Sequence, residues 1–400
     1  MNTSSIHKGK ITFVSWHNYL DQSNGASIST RELLLELARR GWDVSTLCAF
    51  SQDRTSPYSL EQILNEHGLR LILRKTQNRF DLGSFNDHGI RSIVFVPHER
   101  ETAFPTSHSG ANFLSLVGPI LERYEPDLFF TYGGYELARP LTKLASKFGS
   151  QVCFFLHNFA YKNIEYAKKI FVPSNCAANV YRKRLGVDVK SIPPLIRPFT
   201  RNVDNNVSDL ERKYCVFVNP EISKGFSIFV SLARAASSLF PDIRFLLVEG
   251  RENLEIIKRR CAPFLQGVKN VDFMHCTTNP QDFYKLARVL LAPSINPETF
   301  CRVAAEALMN GTPVLASDRG ALPEVIGDGG VIVSPPSSLA ETTVRLLTNE
   351  ELEPWLASLR RLWYDRDFYD SLREKGLARA RNWEYSHVAK SYEQEFLSLL

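Results

Sequence analysis

Short apolar runs alternate with helical patterns in both halves of this 400-residue chain. The runs are nearly continuous in apolar residues, as in strands that are covered on both faces. Alternation of strands and helices predicts a parallel sheet with helices on both sides. Because the pattern occurs twice in a chain of this length, it predicts two such domains.

The predicted strands of the first half are 11–16, 42–50, 69–74, 92–97, 127–133, 151–157 and 169–174, and its predicted helices are 29–40, 112–124, 135–148 and 175–185. The predicted strands of the second half are 214–220, 243–250, 271–275, 289–294, 312–318 and 329–335, with helices between them and a last helix over 385–400.

The segment 191–212 separates the two halves and contains three prolines and a polar tail rich in Asn and Asp, which predicts a linker. We therefore expect Rossmann-like domains over 1–195 and 196–384, followed by a C-terminal helix over 385–400. Two doubly wound domains in tandem predict a ligand cleft between the carboxyl ends of both sheets.

Composition excludes several classes of protein. No stretch approaches the roughly 20 apolar residues of a membrane span, and the first ten residues lack the apolar core of a secretory signal. The seven cysteines form no C-x-x-C pair and lie mostly in apolar runs, which indicates reduced, buried thiols. These features together predict a cytoplasmic protein.

The net charge of +5 arises in the first half, where residues 1–195 hold 23 Lys and Arg against 17 Asp and Glu. A mildly basic domain suits peripheral contact with anionic lipid headgroups or an acidic acceptor. Ordinary variation between solvated surfaces explains the same numbers equally well. The dense basic patch of a nucleic-acid-binding protein is absent from the sequence, so we expect no nucleic-acid partner.

Two carboxylates, Glu298 and Glu306, lie eight positions apart across a predicted loop-to-helix junction. The apolar run 289–294 predicts a buried strand that ends in a turn. Residues 302–309 predict a helix, which the following Asn-Gly pair ends. One carboxylate is therefore expected in the loop and the other inside the helix.

Backbone N–H groups at such a junction form an anion site, because the first helical turn contains no acceptors for them. Here they belong to Phe300, Cys301 and Arg302, between the two carboxylates. A ligand with hydroxyls on both sides of a diphosphate fits this arrangement, and a nucleotide-sugar is such a ligand. An isolated pair of glutamates at this spacing is more typical of a solvated surface.

This stretch resembles the E-x7-E region of retaining glycosyltransferases of family four, which have the GT-B fold. The match includes Pro293–Ser294 before the first Glu and the G-T-P-V and L-P-E runs after the second. The resemblance implies that Glu306 binds the donor ribose and that Glu298 lies by the sugar ring. It also implies that amides at Phe300 and Cys301 hold the diphosphate, and that the last helix packs on the first domain. The family usually has Gly in place of Cys301, so a positive φ there would strain this chain.

Lys224 follows a predicted strand at the start of a helix, where a cation would stabilise the charge of a leaving diphosphate. A surface lysine at a helix start is the alternative. At Asn219–Pro220 the chain lacks the Gly-Arg pair of the resembled family. One of two expected phosphate cations is therefore missing, unless Arg251 or another arginine substitutes for it.

His157 ends the predicted strand 151–157, and the carboxyl ends of parallel strands face ligands. The resemblance implies that it contacts the donor sugar; a structural histidine is the alternative.

Gly25 lies in the predicted loop after the first strand, with Ser27 or Ser29 expected to cap the next helix. The resemblance implies that this loop lies against the donor phosphate and the acceptor, while a plain turn glycine is the competing interpretation.

Asp365 and Asp367 form a D-x-D, a pattern that can hold a metal on a nucleotide-sugar diphosphate. It falls in a predicted helical region far from any strand end, so we expect a helix start or a solvated pair. The resemblance implies a metal-independent enzyme with no cofactor beyond its nucleotide-sugar co-substrate.

The sequence thus predicts, through this resemblance, a retaining hexosyltransferase that moves a sugar from a UDP- or GDP-sugar to a glycan or lipid-linked acceptor. The second domain would bind the donor and the first the acceptor. The predicted catalytic residues are Glu298, His157 and Lys224, and the predicted donor-binding residues are Gly25, Lys224, Phe300, Cys301, Arg302 and Glu306.

Two alternatives remain open at this point. A nucleotide-sugar epimerase on the same architecture would consume donor without an acceptor. A non-catalytic relative would bind a nucleotide or a partner only, and the Asn219–Pro220 and Cys301 departures favour it.

Overall fold

A computed structural model describes residues 8–51, 59–98, 105–132, 136–159, 164–198, 212–277 and 279–400. Within these ranges the chain forms two compact units. The first comprises residues up to Ile196 together with Tyr385–Leu400, and the second comprises Arg197–Glu384. The predicted strand end at 133, the helix start at 135 and most of the linker tail, 199–211, lie outside the described residues.

The strands of the first unit are β1 (Lys10–Ser15), β2 (Asp43–Ala49), β3 (Ile72–Arg74), β4 (Phe80–Asp87), β5 (Ile90–Pro97), β6 (Leu128–Tyr132), β7 (Gln151–Phe155), β8 (Lys169–Val172) and β9 (Lys190–Ser191). Its helices are α1 (Gly25–Arg39), α2 (Leu60–Glu66), α3 (Ser107–Tyr124), α4 (Ala138–Lys147), α5 (Asn175–Leu185) and the C-terminal α13 (Tyr385–Leu397).

These strands form a sheet in the order β3-β4-β5-β2-β1-β6-β7-β8-β9. From β5 to β8 the order is that of a doubly wound fold, and the direction of winding reverses between β1 and β6. Alternate residues of β1 face opposite layers: Ile11 and Phe13 pack with α1 and α13, whereas Val14 packs with α3 and α4. Both faces of the sheet are therefore covered, as the continuous apolar runs predict.

One edge of this sheet differs from the predicted parallel arrangement. The strand β4, which the sequence analysis does not predict, pairs antiparallel with both β3 and β5. A turn at His88 and Gly89, both with positive φ, joins β4 to β5. The run FDLGSFND contains Gly, Asn and Asp, which are poor strand formers. The sequence pattern therefore does not predict β4, although pairing with β3 and β5 stabilises it.

Two helices of the first unit begin earlier than predicted. Helix α1 begins at Gly25 because the Asn24 side chain caps it by accepting from the Ala26 amide. Helix α3 begins at Ser107, capped by the Thr106 side chain. Both first turns are polar and show no apolar period, so the pattern alone places the starts too late.

Helix α13 packs on the first unit although it is the last element of the chain. Tyr392 and Phe396 are buried in the core that α1 also covers. The Glu393 carboxylate binds Lys8 and Arg40, with 2.7 Å and 3.1 Å between charged atoms. Glu395 lies between two lysines of β8 and β9. Apolar and ionic contacts therefore both anchor this helix.

The strands of the second unit are β10 (Tyr214–Val218), β11 (Arg244–Val248), β12 (Val271–Met274), β13 (Ala287–Ala292), β14 (Val314–Ala316) and β15 (Gly330–Ile332). Its helices are α6 (Phe226–Leu239), α7 (Leu254–Cys261), α8 (Gln281–Tyr284), α9 (Arg302–Met309), α10 (Leu322–Ile326), α11 (Asn349–Tyr364) and α12 (Arg366–Ala380).

The second sheet has the order β12-β11-β10-β13-β14-β15, and each pair of neighbours is parallel. Its winding reverses between β10 and β13. Helix α9 spans the predicted residues and ends at Asn310 and Gly311, where the glycine has a φ of +63°. The predicted alternation of strands and helices is confirmed in this unit.

Candidate functional site

The reversal between β10 and β13 brings together two loops that carry predicted site residues. β10 is followed by the 3-10 turn Ile222–Lys224, and β13 is followed by the loop 293–301. In open parallel sheets, ligands bind at the carboxyl ends of the strands where the winding reverses. This edge is therefore the candidate ligand site of the second unit.

The two loops touch through their backbones. The amide of Ile295 donates to the carbonyl oxygen of Ser223 at 3.0 Å. Gly225 has a φ of +93°, and a Cβ at this position would lie 2.0 Å from the carbonyl oxygen of Pro293. Since only glycine fits this approach, the Lys-Gly sequence holds Lys224 beside the loop after β13.

Lys224 and Glu298 form an ion pair, with 2.6 Å between Nζ and Oε1. The Ser294 hydroxyl donates to the same carboxylate oxygen at 2.6 Å. Burial acts to lower the pKa of Lys224, but the Glu298 carboxylate outweighs it, so the pKa is raised. The ammonium is therefore charged, and Glu298 occupies one of its three N–H donors.

The backbone of Glu298 is held from its other side. A parallel β-bridge joins Glu298 to Gly320. The Ala321 amide donates to the Glu298 carbonyl oxygen at 2.7 Å. The carboxylate beside Lys224 thus projects from a loop that is fixed at both the side chain and the backbone.

Cys301 adopts the left-handed conformation, with φ 71° and ψ 75°, directly before α9. For a residue with a Cβ this costs about 1–2 kcal/mol, so the strain considered from the sequence is present. The preceding Phe300 is buried against Trp383, with 5.9 Å between ring centroids, which holds the loop in place. Burial, and next the Glu298 carboxylate, raises the pKa of the Cys301 thiol to about 12, so it is neutral and unsuited to nucleophilic attack.

Glu306 lies inside α9 with only 5% of its surface exposed. Its Oε1 accepts from Arg302 Nε at 2.6 Å, and its Oε2 accepts from the Tyr284 hydroxyl at 2.8 Å. Burial and the nearby carboxylate raise the pKa of Tyr284 well above its usual value, so the phenol remains a donor. A carboxylate offers about four lone-pair positions, which leaves capacity for ligand hydroxyls.

Tyr284 is a site residue that the sequence analysis missed. It lies in the short helix α8 next to the buried Phe283, where an aromatic pair is typical of a core. The sequence signal for Tyr284 is chemical: the hydroxyl of a buried tyrosine needs a polar partner. Only the fold shows that this partner is Glu306.

In the first unit, the structure corrects the account of Gly25. This residue is the first of α1 rather than a loop residue, and neither Ser27 nor Ser29 caps the helix, because Asn24 does. Its φ is not positive, and a Cβ there would meet no atom within 4 Å. The backbone at Gly25 therefore has no conformational need for glycine.

His157 follows β7, two residues beyond its end. Its ring stacks on Phe155 with 4.1 Å between centroids and meets Tyr132 edge-on at 5.5 Å. Burial lowers the pKa of His157 to about 3, so the imidazole is neutral at physiological pH. The His17 ring, beyond the end of β1, stacks on Tyr132 at 6.3 Å.

We call His17, Tyr132 and His157 the aromatic cluster of the first sheet. Its members follow or end β1, β6 and β7, which are neighbours in the sheet. The cluster therefore lies at the carboxyl edge where this sheet reverses its winding. The sequence analysis found only His157; the strand ends at β1 and β6 would have pointed to the other two.

Asp365 caps α12, since its carboxylate accepts from the Phe368 amide at 3.0 Å, and Asp367 lies in the first turn of that helix. The predicted helix-start role of the D-x-D is confirmed. Among the described residues, no group of three or more His, Cys, Asp or Glu side chains is arranged to hold a metal ion.

Six of the predicted site residues lie together at the edge of the second sheet, namely Lys224, Glu298, Phe300, Cys301, Arg302 and Glu306. Gly25 and His157 belong to the first unit. The ligand-binding and catalytic roles of these residues stay predictions.

Residues 220–349, which include this edge, match the family model for glycosyl transferases group 1. The predicted resemblance to group 1 glycosyltransferases is thereby confirmed for the second unit. A phosphatidyl-myo-inositol mannosyltransferase of Mycobacterium leprae is 30% identical over 136 residues, which cover 33% of this chain and 36% of that relative. A lipopolysaccharide 1,2-N-acetylglucosaminetransferase of Salmonella typhimurium is 24% identical over 245 residues, which cover 54% and 62%. The chain thus spans between about a third and three fifths of these relatives.

Solved structures resemble the whole chain. Sucrose-phosphate synthase from Thermosynechococcus elongatus superimposes with a TM-score of 0.73 and 19% identity, covering 98% of this chain and 99% of its own. HepE from Anabaena, in complex with UDP and glucose, superimposes with a TM-score of 0.69 and 15% identity, covering 98% and 100%. At these identities the likeness concerns the fold, and the predicted GT-B fold of two Rossmann-like domains is confirmed.

Proposed function

We propose that this protein is a retaining glycosyltransferase of the hexosyl type. It transfers a sugar from a UDP- or GDP-sugar to a hydroxyl of a glycan or lipid-linked acceptor, without a metal. The observation that carries the proposal is the Lys224–Glu298 ion pair at the reversal between β10 and β13. A charged cation and a carboxylate at this position suit a ligand that combines a diphosphate with sugar hydroxyls.

In this mechanism the bond between the anomeric carbon and the diphosphate oxygen breaks, and the acceptor oxygen bonds to the same face of that carbon. The acceptor proton passes to the leaving phosphate oxygen, so no protein nucleophile is required. Negative charge grows on the diphosphate as the bond breaks. Lys224 stabilises it with the ammonium donors that Glu298 leaves available.

The two carboxylates hold opposite ends of the donor. Glu306 accepts from the ribose hydroxyls. Arg302 and Tyr284 fix the orientation of its carboxylate by donating hydrogen bonds to it. Glu298 accepts from the sugar ring hydroxyls. First-turn amides of α9, near Phe300 and Cys301, contribute donors to the diphosphate.

Neutral His157 at the edge of the first sheet suits hydrogen bonding to a sugar rather than charge pairing. The two relatives are named for transfer of mannose and of N-acetylglucosamine, which supports hexosyl transfer. UDP and glucose in the HepE complex support a UDP-sugar among the donors to test.

The test is a binding and turnover panel with UDP, GDP, ADP and their common sugars on wild-type protein and K224M. A true donor at a hundred times its Kd stabilises the protein by about 2.7 kcal/mol. We expect K224M to lose about 100- to 1000-fold in kcat. The control K258M removes an exposed lysine on α7 that pairs with Glu255, and it should behave as wild type.

Absence of binding and turnover for every nucleotide would overturn the proposal. A non-catalytic relative is the second candidate, favoured by the strained Cys301 and by the missing Gly-Arg pair at Asn219–Pro220. It would bind a nucleotide without turnover in any acceptor mixture. Donor conversion without any acceptor would instead indicate an epimerase.

We also propose that the first unit contacts an anionic membrane surface through the edge strand β3. Ile72 and Leu73 are 68% and 46% exposed, which is unusual for apolar residues of a sheet. The exposed cations close to them in the sequence are Arg70, Arg74, Lys75 and Arg79. Exposed apolar side chains with cations nearby in the chain suit the boundary between acyl chains and anionic headgroups.

Sedimentation with phosphatidylcholine vesicles, with and without phosphatidylglycerol, tests this contact. Wild-type protein should bind only the anionic vesicles, and the double variant I72S/L73S should bind them less. Equal binding of the two proteins, or none at all, would overturn it. No helix in the described ranges is both long and apolar enough to cross a bilayer.

A cytoplasmic location completes the proposal. The seven cysteines are free, and Cys48, Cys153, Cys215 and Cys261 among them are buried. Unpaired thiols in this number suit a reducing compartment.

A further inference from the structure

A second cation lies beside the turn that carries Lys224. Arg251 follows β11, which pairs with β10 up to the register Val218↔Val248. The loops after these neighbouring strands therefore leave the sheet side by side. The sequence departs from the resembled family in the first of them, at Asn219–Pro220.

The two loops are fixed to each other by Asn219. Its Oδ1 accepts from the Arg251 amide at 2.9 Å. A Cβ at Gly250 would lie 2.3 Å from the same Oδ1, so the glycine permits this close approach. The backbone of Arg251 is thus tied to the residue at which the chain differs from the family.

The guanidinium of Arg251 points back to the turn before Lys224. Arg251 Nη1 lies 3.6 Å from Glu221 Oε1, and 38% and 20% of the two side chains are exposed. The Lys224 amide donates to the Glu221 carbonyl oxygen at 3.1 Å. Glu221 therefore contacts Arg251 through its carboxylate and Lys224 through its backbone.

Another arginine nearby is already committed. Arg260 forms a two-point ion pair with Glu252 and donates to the Pro220 carbonyl oxygen at 3.2 Å. Only 18% of its side chain is exposed. Arg251 has the longer ion pair and the greater exposure, so it can exchange its partner for a ligand.

We propose that Arg251 is the second diphosphate-binding cation of this site, and that Glu221 holds its guanidinium when no nucleotide is bound. The inference rests on the proposed function, because it assigns a ligand contact to the same site. Arg251 follows β11. In the resembled family the corresponding arginine follows the neighbouring strand, the equivalent of β10. Binding exchanges one anionic partner of the guanidinium, a carboxylate, for another, a phosphate oxygen.

This exchange has a consequence that a purely structural arginine would not have. Glu221 competes with the ligand for Arg251, so removal of the carboxylate should strengthen diphosphate binding. The gain should require Arg251 and should be absent for a nucleoside, which has no phosphate.

The test measures Kd values of UDP, GDP, uridine and guanosine by calorimetry for the full chain. We expect R251Q to weaken binding of the diphosphate about 10- to 100-fold, as for loss of a charged hydrogen bond. Nucleoside affinity should not change. R244Q is the matched control, because Arg244 begins β11 at its opposite end, is 45% exposed and also pairs with a carboxylate, Asp272.

E221Q provides the second readout. It should bind the diphosphate more tightly than wild type, and the double variant E221Q/R251Q should bind it no better than R251Q. If wild type binds UDP or GDP and R251Q binds equally well, the role of Arg251 is wrong and the proposed function stands. If wild type binds neither diphosphate, both are overturned.

Discussion

The two sheets share one winding order but present different chemistry where that order reverses. At the edge of the second sheet, charged groups lie in pairs, as in Lys224 with Glu298 and Arg302 with Glu306. At the corresponding edge of the first sheet lies the aromatic cluster, in which His157 is neutral at physiological pH. The same topology therefore carries ion pairs at this edge in one unit and packed aromatic rings at this edge in the other.

Winding order therefore decides where a site lies but not what it binds. Ion pairs at the second edge keep cations charged and oriented in advance, which suits an anionic ligand. Aromatic rings and a neutral imidazole suit stacking and hydrogen bonding with an uncharged, hydroxyl-rich ligand.

Loss of the Glu306 carboxylate should have the largest effect. E306A leaves the Arg302 guanidinium, only 15% exposed, without its ion-pair partner. We expect the free energy of unfolding to fall by about 3–5 kcal/mol, donor KM to rise and kcat to fall. The measurements are urea denaturation and steady-state kinetics.

Y284F is the control for Glu306, because it keeps the carboxylate and removes one of its donors. It should cost only about 1 kcal/mol. Wild-type donor kinetics in folded E306A would contradict the ionic description of the second edge.

The low pKa of His157 should make stability depend on pH. Its folded pKa of about 3 lies below the ordinary 6.5, so protons favour the unfolded chain. This contribution is complete above the unfolded pKa and declines as the pH falls below it, by at most about 1.4 kcal/mol per pH unit.

H157N lacks this ionisation, so its free energy of unfolding should decline less than that of wild type between about pH 6.5 and pH 4.5. Urea denaturation at a series of pH values measures the difference. Identical pH profiles for the two proteins would mean that the pKa of His157 is not lowered in the folded chain.

Cys301 tests whether the second edge stores backbone strain. C301G should be more stable than C301A by about 1 kcal/mol, because alanine keeps the Cβ at a φ of 71° and glycine does not. Both variants remove the thiol, so the comparison isolates the backbone. Equal free energies of unfolding would indicate that the left-handed turn costs nothing there.

Gly25 gives the smallest effect and concerns the first unit. G25A should stabilise the protein by about 0.5–1 kcal/mol, since a Cβ fits at this helical position without contact. Thermal denaturation measures the gain. Activity unchanged by G25A would mean that no ligand approaches this backbone, against the role that the resemblance implies.

Much of the fold follows from periodicity in the sequence. Continuous apolar runs identify the strands of the second unit, and the Asn-Gly pair after α9 ends that helix as predicted. The antiparallel strand β4 and the early start of α1 are missed, because pairing and a side-chain cap override the apolar pattern there. Prediction from local sequence patterns fails where strand pairing or a side-chain cap determines the bounds of an element.

The amino-acid pattern alone identifies the class of fold, the loop-to-helix junction with its two carboxylates, and the resemblance to group 1 glycosyltransferases. The pairing of side chains becomes visible only in the folded chain: Lys224 with Glu298, Glu306 with Tyr284, and Arg251 with Glu221. These partners lie far apart along the chain. Residues 74 positions apart, such as Lys224 and Glu298, meet because β10 and β13 are neighbours in the sheet. No local pattern encodes that contact.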